Sequence, residues 1–275
     1  MASKTLYVSD LDGTLLRGDQ TLSPFTASTL NRLIEDGMLF SYATARSYNT
    51  ARQATNGLIA NIPVIIYNGS FVVEQGSEKR LLSNGFLQTE AKEILDLLLE
   101  QGVFPLVYAF VDGVERYSFL PHRQSRGMKL FNDSRRGDVR ENPVSKADDL
   151  YRREIFHFTC IDEEEALRPL YHHLNERFCC IFHRDIYSGE QWLEIQPKNA
   201  TQAHAILKLK ALMGCEKVVC FGDGKNDISM FEIADACYAV ENADPALKAI
   251  ATGIIESNEA DSVARWLDAH WNPEK

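Results

Sequence analysis

The stretch Leu6-Tyr7-Val8-Ser9-Asp10-Leu11-Asp12-Gly13-Thr14-Leu15-Leu16 decides how the chain is read. An apolar run over residues 6–8 gives way to two carboxylates and then to a Gly-Thr turn. The two acids can converge only if the backbone curls where the strand ends, and Gly13 supplies that freedom. Acids converging at the end of a buried strand repel each other and are costly to desolvate. They call for a cation or a shared proton, as a catalytic site provides. The alternative is a polar Asx turn closing the strand, since Asp and Gly are common turn residues.

Outward from this stretch, strand and helix alternate. Residues 6–9 form the first strand. Ser23-Pro24 offers an N-cap and a first-turn proline to a helix whose apolar face is Phe25, Leu30, Leu33 and Ile34, and Gly37 ends it. A strand over 38–43, a helix over about 48–59 and a buried strand over 64–67 complete a β-α-β-α-β rhythm, which implies a parallel sheet. The rhythm changes after Asn68-Gly69. Residues 71–74 and 79–82 read as a hairpin around Gln75-Gly76-Ser77. A helix (89–101) with strands 103–111 and 114–120 follows, then strand 155–161, helix 162–178 and strands 179–183 and 191–195. Helices followed by paired strands imply an antiparallel sheet with helices on one side. Alternation resumes at Asn199 and runs to a closing helix over 262–269. The fold class is therefore α/β: a doubly wound parallel-sheet (Rossmann-like) core, residues 1–83 and 190–275, with an inserted α+β domain over 84–189.

A length of 275 residues suits roughly two domains. The net charge of −10 argues against a nucleic-acid partner, which needs a basic stripe. One local basic stretch, His122, Arg123, Arg126, Lys129, Arg135, Arg136 and Arg140, reads as a solvated loop; helping to hold anionic substrates is its alternative role. Cys160, Cys179, Cys180, Cys215, Cys220 and Cys237 form no C-x-x-C pair, so reduced thiols are expected rather than disulfides or a zinc site. The start Met-Ala-Ser-Lys-Thr-Leu has no signal-peptide core, and no apolar run reaches membrane-spanning length. A cytoplasmic protein without a membrane partner is expected; composition leaves the oligomeric state open.

In open α/β sheets, sites form beyond the carboxyl ends of the strands. Four groups follow that rule here: Asp10 and Asp12; Thr44-Ala45-Arg46; Asn68-Gly69; and Gly222-Asp223-Gly224-Lys225-Asn226-Asp227. Acids, a hydroxyl and glycines delivered to one rim by separate strands exceed what turn chemistry requires. Together, Asp10-Leu11-Asp12-Gly13-Thr14-Leu15-Leu16 and the 222–227 segment resemble the haloacid dehalogenase-like hydrolase superfamily. The insert, with the tail segments Ala239-Val240-Glu241-Asn242-Ala243 and 257–264, is similar to the Cof-type phosphatase subgroup with a large α/β (type C2) cap.

The resemblance implies a Mg²⁺-dependent phosphatase working through an aspartyl-phosphate. By position, Asp10 is the nucleophile, and Asp12 is general acid to the leaving alcohol and then general base to water. Asp10, the Asp12 backbone carbonyl and Asp223 are the expected metal ligands, with Asp227 orienting metal-bound waters. Thr44, with backbone N–H groups at Asp12 or Ala45, is expected on the phosphate, and Asn226 within its reach. Arg46 belongs to the same substrate-binding motif. Asn68 is assigned either to the substrate or to the turn at the mouth of the site, the turn being preferred.

Two departures stand out. The second motif commonly reads Thr-Gly-Arg in the family, whereas Ala45 occupies the middle here. The lysine that normally follows Glu-Ile-x-Pro falls at Gln202, leaving Lys198 in the preceding loop or the uncharged Gln202 itself to serve the phosphate. The expected activity is hydrolysis of small phosphorylated metabolites, sugar phosphates first. A phosphosugar mutase is the enzymic alternative, and a phosphate-ligand binding or regulatory protein with weakened catalysis is the non-enzymic one.

Overall fold

The computed structural model describes residues 4–77, 79–152, 154–185 and 188–272. Strand β1 (Thr5–Ser9) is followed by helix α1 (Pro24–Glu35), strand β2 (Leu39–Tyr42) and helix α2 (Tyr48–Ala54). Both helices start on serine caps: Ser23 Oγ accepts from the Thr26 N–H and Ser47 Oγ from the Thr50 N–H. Leu30, Leu33 and Ile34 of α1 are buried. Phe25, assigned to the same face by periodicity, is exposed and lies under the Arg265 guanidinium.

Strands β3 (Val64–Ile66), β4 (Phe71–Val73) and β5 (Arg80–Ser83) form a separate antiparallel sheet. The strand expected to extend the parallel sheet makes only one parallel bridge to it, Ile65 to Ala43. The cause is local: Tyr67, Asn68 and Gly69 all have left-handed φ (50°, 51° and 103°), which reverses the chain before a crossover helix can form.

The second unit contains α3 (Gln88–Glu100), β6 (Leu106–Val111), β7 (Val114–Phe119), α4 (Arg126–Ser134), β8 (Glu141–Pro143), β9 (Ile155–Asp162), α5 (Glu164–Leu174), β10 (Cys179–Arg184) and β11 (Gln191–Gln196). Its sheet order is β10-β11-β9-β6-β7-β8, antiparallel except for β7 with β8. Asp112 and Gly113 both have positive φ, as a two-residue hairpin turn requires. Ile94, Leu95 and Leu98 of α3 and Leu167, Leu170 and Leu174 of α5 pack with Val107, Phe158, Leu193 and Ile195. Strand β11, counted with the returning core when the boundary is drawn at 190, pairs with β9 and β10, and its Leu193 and Ile195 complete this core. The compact units divide at Ser83/Asn84 and Asn199/Ala200.

The basic stretch is partly helical rather than a loop, although most of its charged side chains are exposed. Ser125 caps α4, whose buried Met128 and Phe131 give it an apolar face, with the Phe131 ring edge-on to Trp192. Arg140 is buried between Glu115 and Asp138, Arg126 faces Glu190, and Arg135 stacks on Phe131. Arg140 alone of the stretch is buried against this unit's acids, whereas Arg126 and Arg136, each 83% exposed, keep solvated charge.

The chain returns through α6 (Gln202–Met213), β12 (Lys217–Gly222), α7 (Ile228–Ile233), β13 (Ala236–Val240), α8 (Pro245–Ile250), β14 (Gly253–Ile255) and α9 (Ser262–His270). The parallel sheet has the order β14-β13-β12-β1-β2. The chain winds outward from β1 through β2, then restarts at β12 on the other side of β1. The end of β1 is therefore a topological switch point, where doubly wound sheets bind ligands. Leu6, Val8, Phe40, Val218, Cys220 and Phe221 are fully buried, as in a sheet covered on both faces. All six cysteines are free. Among the described residues no helix is long and apolar enough to cross a membrane.

Candidate active site

Register builds the rim. Ser9 stands opposite Phe221 on one side and Tyr42 on the other, so β1, β2 and β12 end at one level. The Asp10 N–H donates to the Phe221 carbonyl (2.9 Å), extending the ladder one residue and leaving the Asp10 side chain at the start of the loop. Asp12 (φ −73°, ψ 122°) and Gly13 (φ 76°, ψ −3°) make a type II turn, and the Leu16 N–H closes the loop on the Leu11 carbonyl (2.8 Å). A Cβ on Gly13 would overlap the Asp223 carboxylate, so glycine is needed for contact as well as conformation. Asn242 Nδ2 donates to the Gly13 carbonyl (2.8 Å), Asn258 Nδ2 donates to the Leu16 carbonyl (2.9 Å), and the Asn258 N–H donates to Asn242 Oδ1 (3.2 Å). These two asparagines brace the loop. Sequence reasoning gave them no role, although both lie in the tail segments that carry the family resemblance.

The second rim segment is held by backbone bonds. The Ala43 N–H reaches the Ser9 carbonyl (3.0 Å), and the Thr44 N–H reaches that of Ile65 (3.1 Å). In return the Asn68 N–H donates to the Thr44 carbonyl (2.9 Å) and the Tyr67 N–H to that of Arg46 (3.1 Å). Thr44 is fully buried; its Oγ1 accepts from the Arg46 N–H (3.1 Å), leaving the hydroxyl proton to donate. Ala45 does not have positive φ, so replacing the customary glycine adds no backbone strain. Asn68 sits in the left-handed turn with its N–H engaged, which favours a turn-shaping role. Gly69 touches the start of α6, where a Cβ would overlap the Thr201 carbonyl.

Asp223 and Asp227 follow β12. Asp227 Oδ2 accepts from the N–H groups of Asp223 (2.9 Å) and Gly224 (3.0 Å), and its Oδ1 accepts from Asn226 Nδ2 (3.2 Å). Asn226 thus engages Asp227. Thr14 Oγ1 donates to Asp223 Oδ1 (3.2 Å). Carboxylate oxygens of Asp10, Asp223 and Asp227 lie within 4.8 Å of one another. Burial, and then the charges of Asp227, Asp223 and Asp12, push Asp10 well above the usual carboxylate range. Burial chiefly raises Asp223 and Asp227 as well. An all-oxygen set of mutually repelling buried acids fits a hard divalent cation such as Mg²⁺. The Asp12 carboxylate is outside this cluster; it is half exposed and paired with Arg46. Gln202, the first residue of α6, is buried with its amide near Asp227, but neither Nε2 nor Oε1 makes a hydrogen bond of good geometry. Lys198 is exposed in the turn after β11, in the other unit.

The model of the haloacid dehalogenase-like hydrolases matches residues 7–267. The 5-amino-6-(5-phospho-D-ribitylamino)uracil phosphatase of Bacillus subtilis (strain 168) is 25% identical over 280 residues, covering 97% of each chain. The pyridoxal phosphate phosphatase of Escherichia coli (strain K12) is 25% identical over 274 residues, covering 95% of this chain and 96% of its own. A crystal structure from Thermotoga maritima has the same fold, with a TM-score of 0.76 at 24% identity over 98% of each chain. A match running from the first strand into the last helix shows that this chain belongs to the haloacid dehalogenase-like hydrolase family, in which both of these relatives are phosphatases by name.

Proposed function

We propose that the chain is a Mg²⁺-dependent hydrolase of small phosphate monoesters, sugar phosphates foremost, acting through an aspartyl-phosphate on Asp10. The observation that carries this reading is the cluster of buried Asp10 and Asp227 with half-buried Asp223 at the switch point of the sheet. Asp10 and Asp223, with the Asp12 carbonyl, would hold the ion, while Asp227 braces the Asp223 loop through two backbone N–H groups. A bound Mg²⁺ supplies the positive charge that lets a carboxylate approach an anionic phosphate.

In the first half-reaction an Asp10 oxygen bonds to phosphorus, the bond to the leaving oxygen breaks, and Asp12 gives that oxygen a proton. In the second, Asp12 takes a proton from water as the water oxygen attacks phosphorus, releasing phosphate and restoring Asp10. The Thr44 hydroxyl and the backbone N–H of Ala45 serve the phosphate oxygens. Asp10→Asn should abolish turnover on a panel of phosphorylated metabolites in Mg²⁺ while leaving the unfolding transition intact. Normal turnover by this variant would refute the nucleophile assignment. Both relatives act on small phosphorylated molecules by name, which supports the substrate class. The free thiols support a cytoplasmic setting.

Gln202 favours a second reading, in which binding is retained and catalysis weakened. Its neutral amide occupies the position where the family carries a lysine, beside acids whose mutual repulsion a lysine would relieve. Gln202→Lys raising turnover at least tenfold over a nearly inert parent would support this reading. An active parent that the substitution slows would dismiss it.

A further inference from the structure

We propose that Gln20 and Arg46 form a clamp that positions the Asp12 carboxylate for proton transfer, an inference that rests on the proton-transfer reading of Asp12. Arg46 Nε donates to Asp12 Oδ2 (2.7 Å) and Nη2 to Oδ1 (2.5 Å). Two parallel bonds from a planar guanidinium fix both the place and the plane of a carboxylate, which a single contact cannot do. The Asp12 side chain is 47% exposed and would otherwise sample several rotamers. Nη2 also donates to Gln20 Oε1 (2.9 Å), so Gln20 orients the arginine that orients the acid.

Gln20 is held in this place at a conformational cost. Its φ is 63°, uncommon for a residue with a long side chain. A closed turn enforces it: the Gln20 N–H donates to the Arg17 carbonyl (2.8 Å) and the Arg17 N–H to that of Thr21 (3.0 Å). Asp19 Oδ1 accepts from both the N–H (3.0 Å) and the hydroxyl (2.7 Å) of Thr21, and Arg17 is tied to Asp261. At the other end, the Arg46 backbone is pinned to Tyr67 and Thr44. Strain at an exposed residue persists only where surrounding bonds over-determine it, as the turn bonds do here. What the turn holds in place is an amide oxygen aimed at Arg46. The guanidinium expected from sequence on the substrate is instead directed to the proton-transferring acid.

The test separates leaving groups that need a proton from those that do not. Gln20→Asn tolerates the left-handed backbone but withdraws the amide oxygen; Gln20→Glu keeps an oxygen at the same reach. The substrates are an alkyl ester such as glycerol phosphate and the aryl ester p-nitrophenyl phosphate, both with Mg²⁺. Because kcat/KM reports only on formation of the aspartyl-phosphate, where the alkyl leaving group needs a proton and the aryl one does not, Gln20→Asn should lower kcat/KM for the alkyl ester about fivefold, with that of the aryl ester within about twofold of wild type. Gln20→Glu should restore the alkyl rate, and Arg46→Lys, which removes the fork, should bias against the alkyl ester by about tenfold or more. Asp12→Asn reports on the underlying reading. If it lowers kcat/KM equally for both esters, that reading fails and the clamp with it. If it is selective while Gln20→Asn and Arg46→Lys lower kcat/KM for both esters alike, or for neither, the clamp is overturned and the reading of Asp12 stands.

Discussion

Asp10 and Asp12 are neighbours in sequence and strangers in environment. Asp10 is buried against Asp223 and Asp227, whereas Asp12 leaves the type II turn toward Arg46. Gly13 makes that divergence possible, so Gly13→Ala should be costly on two counts. Forcing alanine to φ 76° costs about 1–2 kcal/mol, and its Cβ would displace the Asp223 carboxylate. The expected result is a lower Tm with turnover reduced at least a hundredfold; wild-type values for both would contradict the packing described. The need for a glycine after the acids is legible locally, because turn chemistry is short-range. That its hydrogen faces an acid from the far end of the chain is not, since no local pattern records such a contact.

At the scale of elements, local signals located most of the helices, and long-range pairing decided the strands. The serine cap at Ser23 marks α1 because capping involves residues only three apart, and Ser47 caps α2 in the same way, a signal the sequence reading did not use. Strand β3 was legible as a buried strand but not as a partner of β4, a choice made by three consecutive left-handed residues. The last of these, Gly69, lies against the Thr201 carbonyl at the head of α6. Gly69→Ala should therefore destabilise by about 2–4 kcal/mol and lower the urea midpoint, the combined cost of φ strain and overpacking. An unchanged midpoint would show that this turn and α6 part without cost. The same contact couples the Asn68-Gly69 turn to Gln202, so kcat should fall in the same variant.

For the whole molecule, the buried acids set a pH dependence that metal should reverse. Burial and mutual repulsion raise the folded-state values of Asp223 to about 6 and Asp227 to about 7, above the ordinary 3.8. Between pH 4 and about 7 these two groups bind more protons in the folded chain than in the unfolded one, so the stability they contribute falls as pH rises through that window. With chelator present, Tm should be higher near pH 5 than near pH 7.5, and Mg²⁺ should raise it more at the higher pH. Equal Mg²⁺ shifts at both values, or a metal-free Tm that climbs with pH, would count against an uncompensated cluster. Read in one dimension, periodicity and turn chemistry were enough for the alternation of strand and helix, the inserted unit and the strand-end groups at Asp10, Thr44 and Asp223, because those are short-range properties. Parallel register brought the groups to one rim, and folding in space turned Asp12 onto Arg46 and buried Arg140 against Glu115. Each of these depends on residues far apart in the chain, and only the tertiary structure makes them neighbours.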